Sequence, residues 1–87
     1  MVIENCLAFA NAGAGIEVGG YGRDGGRNSV IRHCTAYANG GMAGIWIHSG
    51  ENGLIEHCVG YNNGVFQIWT WNSANVTIRH SEAYRAL

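Results

Sequence analysis

Short apolar runs alternate along this chain with clusters of Gly, Asn and Ser. One ten-residue segment recurs four times, at Val2 to Asn11, Val30 to Asn39, Leu54 to Asn63 and Thr77 to Ala86. Its isoleucine falls at positions 3, 31, 55 and 78. Self-similarity at a period in the twenties marks an array of stacked units. Each segment leads into a Gly- and Asn-rich corner, at Asn11 to Gly15, Asn39 to Gly44 and Asn62 to Gly64. A second apolar run follows: Ile16 to Val18, Ile45 to His48, Ile68 to Trp71. A further polar corner then opens the next repeat. The runs are β-branched or aromatic and are bounded by turn residues, which predicts two or three short strands per repeat. No run carries the spacing of a stable amphipathic helix.

Such a pattern predicts an all-β solenoid in which equivalent residues of successive coils lie about 4.8 Å apart. Inward columns would be Ile3, Ile31, Ile55 and Ile78; the small residues Ala8, Ala36, Gly60 and Ala83; and Ile16, Ile45 and Ile68 with Val18, Ile47 and Thr70. The position after the isoleucine reads Glu4, Arg32, Glu56, Arg79, so its charge changes sign at every step. Opposite charges across neighbouring strands are favourable, and in-register parallel stacking therefore predicts this order. Exposed pairs of this kind hold register more than they add stability.

The remaining composition narrows the class. The chain has 87 residues and 47% hydrophobic content, with a formal charge of −1. It has no basic face for a nucleic acid, too much apolar content for disorder, and no apolar run of membrane-spanning length. It opens and stops inside a repeat, with no atypical capping unit, so it reads as one uncapped segment, residues 1–87, flanked by further coils of a longer protein. An isolated piece of this kind is expected to aggregate through its open sheet edges.

The motif Ile-x-x-Cys/Asn-x-Ala-Tyr-x-Asn-Gly followed by Gly-Ile-x-Ile, seen from Ile31 to Ile47, resembles the right-handed parallel β-helix repeat of the pectate-lyase-like superfamily. The resemblance covers essentially the whole chain and is specific for architecture, not for activity. It implies an internal ladder of corner asparagines, matched by Asn11, Asn39 and Asn63 and broken at Ala86. It also implies a location outside the cell and a polysaccharide or oligosaccharide partner, where there is a partner at all.

Candidate chemistry is sparse. Cys6, Cys34, Cys58 and Ser81 share one repeat position and read as buried small residues, because stacked side chains have parallel Cβ vectors ill suited to bridging. Asn5, His33, His57 and His80 share the preceding position, and a line of imidazoles is a poor tetrahedron, so no metal site is expected. No cofactor is expected either. Phe9, Tyr37, Tyr61 and Tyr84 form an aromatic column that stacking alone explains. Alternation along the second strand turns Glu17, Trp46, His48, Trp69 and Trp71 outward. An exposed aromatic group marks an interaction site, either a sugar platform or a seat for a flanking loop or domain. In the insert between Gly19 and Asn28, Arg23 and Arg27 could pair with uronate carboxylates. Glu17, Asp24 and His48 are the acid–base candidates, but two carboxyls flanking a scissile bond and a carboxylate cluster for calcium are both missing. The chain therefore reads as a carbohydrate-binding or carbohydrate-processing β-helix segment, with a ligand-free structural shaft as the alternative.

Overall fold

The computed structural model of the chain describes residues 1–19 and 27–85. The first coil consists of β1 (Val2–Glu4), β2 (Leu7–Phe9) and β3 (Ile16–Val18). The second has β4 (Val30–Arg32), β5 (Thr35–Tyr37) and β6 (Ala43–His48). The third has β7 (Leu54–Glu56), β8 (Val59–Tyr61) and β9 (Phe66–Trp71), and β10 (Thr77–Arg79) and β11 (Glu82–Tyr84) begin a fourth. Strands of equal rank stack in parallel to give three sheets, ordered β1-β4-β7-β10, β2-β5-β8-β11 and β3-β6-β9. The register is the one the repeat predicts: Ile3 on Ile31 on Ile55 on Ile78, Ala8 on Ala36 on Gly60 on Ala83, and Ile16 on Ile45 on Ile68. Ile31, Ile45, Ile47 and Ile55 fill the core with Ala36, Cys34 and Cys58.

The ten-residue segment is not one strand but two, bent at its fourth residue. Asn5, His33, His57 and His80 sit there with φ between 50° and 56°. Asn and His are enriched in this left-handed region, which accounts for the column without any ligand. The following Cys closes the bend. Cys34 Sγ donates to the Arg32 carbonyl at 3.2 Å and Cys58 Sγ to that of Glu56 at 3.2 Å. Ser81 Oγ makes the same bond to Arg79, at 2.9 Å, so a hydroxyl replaces the thiol there.

Burial pushes the Cys34 and Cys58 thiols above their ordinary pKa, because the thiolate would lose its water. Cys6, in the end coil, is exposed. A thiol-disulfide reagent at neutral pH is therefore expected to modify one cysteine quickly and the other two only on unfolding. Because the folded state holds these two protons more tightly, their contribution is complete below the ordinary thiol pKa and is lost as pH rises through the elevated values. Rapid labelling of all three thiols in native protein would contradict this burial.

A second left-handed corner separates the second and third sheets. Ala10 and Ala38 adopt φ 56° where the third coil has Asn62 at 53°. Alanine has no side-chain compensation for that conformation. Ala38→Asn, copying Asn62, is expected to stabilise the fold by about 0.5–1 kcal/mol, read as a raised urea midpoint. An unchanged or lowered midpoint would count against strain at this corner.

Inside this corner runs the asparagine ladder. The Asn11 backbone N–H and Nδ2 both donate to Asn39 Oδ1, at 3.2 and 2.9 Å. Those of Asn39 donate to Asn63 Oδ1, at 3.1 and 2.9 Å. Gly15 and Gly44 make the room: a Cβ on Gly44 would meet Asn63 Nδ2 at 2.2 Å. The next rung by register would be Ala86, outside the described residues. Gln67, paired with the glycine column, takes that role instead. Its Oε1 accepts from the Asn63 N–H at 2.8 Å and from Nδ2 at 3.1 Å. Arg85 donates to the Asn63 and Gly64 carbonyls at 2.8 and 2.9 Å.

The outer face of the first sheet carries the alternating charges as one row. Arg32 Nε donates to Glu4 at 2.8 Å, and Arg79 bonds Glu56 at 2.9 Å. The Arg79 hydrogen bond holds the Glu56 carboxyl below its usual pKa.

Candidate functional site

The outer face of the third sheet gathers the largest side chains. Alternation in β6 and β9 buries Ile45 and Ile47 and turns Trp46 and His48 outward, with Trp69 and Trp71 beside them. In-register pairing places Trp46 on Trp69 with ring centroids 5.0 Å apart and planes 3° from parallel. Trp46 and Trp69 therefore turn one indole face to each other. Phe66 packs on Trp69 at 4.4 Å, and His48 lies tilted against Trp46 at 4.4 Å. Trp71 is the most open of the three, with 54% of its surface exposed. Together with Met42, the three tryptophans line an open pocket of about 320 Å³. That volume is at the lower end of small-molecule sites, which run from about 300 to 1,000 Å³.

The lining is almost wholly apolar. The Trp46 Nε1–H is buried without an acceptor among the described residues. In this arrangement it offers no hydrogen bond to a ligand, so Trp46 contributes surface alone.

One strand across, Glu17 pairs in register with Trp46. Its Oε2 lies 2.8 Å from His48 Nε2. The two groups that could each bond a ligand hydroxyl thus bond each other. Gly19 allows this closeness, since a Cβ there would sit 2.6 Å from His48 Nε2 and 2.4 Å from the His48 carbonyl oxygen. Glu17 keeps nearly half its side chain exposed while His48 is mostly covered, so the carboxyl stands at the solvent edge of the pair.

The other expected positions fall elsewhere. Arg27, at the corner after the third sheet, bonds Glu51 at 2.9 Å. Arg23 and Asp24 lie outside the described residues. His33, His57 and His80 stack in a line with centroids 5.1 and 5.2 Å apart. Phe9, Tyr37, Tyr61 and Tyr84 stack likewise on the second sheet, at 5.0–5.2 Å. No group of three or more His, Cys, Asp or Glu among the described residues is placed to hold a metal ion. Met42 and Phe66 were missed in the sequence reading. Met42 precedes β6, and Gly44, two residues before Trp46, faces the internal asparagine ladder, so alternation could not be carried back to Met42. Phe66 sits at a strand start, where alternation gives no firm direction.

A family model described as the right-handed beta helix region matches residues 1–86. No curated protein and no solved structure matches the chain.

Proposed function

The chain belongs to the right-handed beta helix family, and from that premise we propose that it is the carbohydrate-contacting segment of a β-helix protein. The observation that supports this is the open pocket lined by Met42, Trp46, Trp69 and Trp71 on a rigid sheet face. Exposed indoles attract the C–H faces of sugar rings, and three tryptophans on one outer face make an unusual apolar patch for a small chain. Trp71 offers the open ring. Trp46 and Trp69, held against each other, form the wall. Glu17 and His48 flank Trp46 on the same face, and the half-exposed Glu17 carboxyl keeps capacity to accept from a hydroxyl beyond its bond to His48.

Among the described residues the arrangement suits binding and not hydrolysis. Glu17 and His48 are held together as a pair, and no second carboxyl among the pocket-lining residues faces them. Hydrolysis needs two carboxyls on opposite sides of the bond.

Titration with oligosaccharides, followed by tryptophan fluorescence and calorimetry, tests the proposal. Trp71→Ala is expected to weaken binding at least tenfold, about 1.4 kcal/mol, with little effect on folding because Trp71 is largely exposed. No binding across a broad panel of acidic and neutral glycans would leave the segment as a structural shaft.

A further inference from the structure

We propose that the glycan taken by this pocket is neutral: a β-linked pyranose chain with equatorial hydroxyls, of the glucan or xylan type, and not a uronate polymer. The inference rests on the binding reading above and names the ligand class for the same site. Two features of the structure carry it. The first is the apolar lining, Met42 with three tryptophans. A surface of that kind meets the C–H face of a ring whose hydroxyls all lie in its plane. An axial hydroxyl or a carboxylate pressed on it would lose water without gaining a partner.

The second feature is where the positive charges are. Uronate recognition calls for a guanidinium or ammonium group to replace the carboxylate's water. The chain has no lysine. Each described arginine is already engaged: Arg27 with Glu51, Arg32 with Glu4, Arg79 with Glu56, and Arg85 with two backbone carbonyls. His48 is held by Glu17. Among the described residues the ionisable group left most open on this face is the Glu17 carboxyl, which repels an anionic ring and accepts hydrogen bonds from a neutral one.

The test is calorimetric titration of the intact chain with cellohexaose, xylohexaose and hexagalacturonate at low salt. Wild type, Trp71→Ala, Glu17→Gln and Arg23→Ala are compared. The expected result is binding of the neutral hexaoses, loss of at least tenfold in Trp71→Ala, and uronate binding at least tenfold weaker than neutral binding. Glu17→Gln is expected to raise uronate affinity severalfold by removing the repulsion. Uronate binding equal to or tighter than neutral binding, abolished by Trp71→Ala or Arg23→Ala, would overturn the neutral class while the binding site itself stands. Binding of neither class would overturn both.

Discussion

Replacing Gly44 by glutamine and Asn63 by alanine together is expected to cost the fold less than the two separate losses added. In the first two coils a glycine, Gly15 or Gly44, leaves space for the asparagine of the next coil. In the third coil Gln67 stands in the glycine column, and the next rung of the sequence is Ala86. The amide oxygen reaches the same two N–H groups from either side. Gln67 Oε1 takes the Asn63 N–H and Nδ2, as Asn63 Oδ1 takes those of Asn39. Asn63→Ala alone leaves the buried Asn39 backbone N–H without an acceptor and its Nδ2 with only the Ala8 carbonyl, at about 2–3 kcal/mol. Gly44→Gln alone drives a Cβ into the Asn63 amide, at about 3 kcal/mol or more. Asn63→Ala removes the two shortest of these contacts but leaves the new Cβ 2.9 Å from the Gln67 carbonyl oxygen, so the pair restores the acceptor at the cost of a small backbone shift, and a favourable coupling of about 1–2 kcal/mol is expected. Urea unfolding of the four proteins measures it. Simple additivity of the two losses would show that glutamine and asparagine do not exchange along this ladder.

Alanine at Ile31 or Ile55 is expected to cost about 2–5 kcal/mol, against about 1 kcal/mol at Ile78, although all three occupy one repeat position. Ile31 and Ile55 are covered by coils on both sides and are fully buried. Ile78 has a coil on one side and is 44% exposed. Removing its methyl groups leaves no closed cavity, so only part of the transfer term is lost. Equal losses at the three sites, by calorimetry or denaturant, would mean that the end coil packs as tightly as the middle ones.

These two cases divide what could be read early from what could not. The Ile column and the outward charges were legible because each is repeated and each obeys a rule of two: inward and outward faces alternate, and like stacks on like; the asparagine rungs were legible only through the resemblance to the β-helix repeat. The positions of Trp46, Trp69 and Trp71 on one face came from the same rule. What that face can do was not legible. That Trp46 and Trp69 stack on each other, that Glu17 pairs with His48, and that Met42 completes the lining depend on rotamers and on contacts between coils. Gln67 was passed over because it breaks the repeat, and a broken repeat has no earlier copy to explain it.

The sequence by itself determined the winding: the period, the register and which side of each strand meets the core. Those are fixed by periodicity, which every repeat states again. The tertiary structure decided the bend within each segment, the Gln67 acceptor on the ladder, and the pocket with the Glu17–His48 pair on the same face. Each of these arises where one coil's side chain meets a different neighbour in the next, and no single repeat contains both halves of that contact.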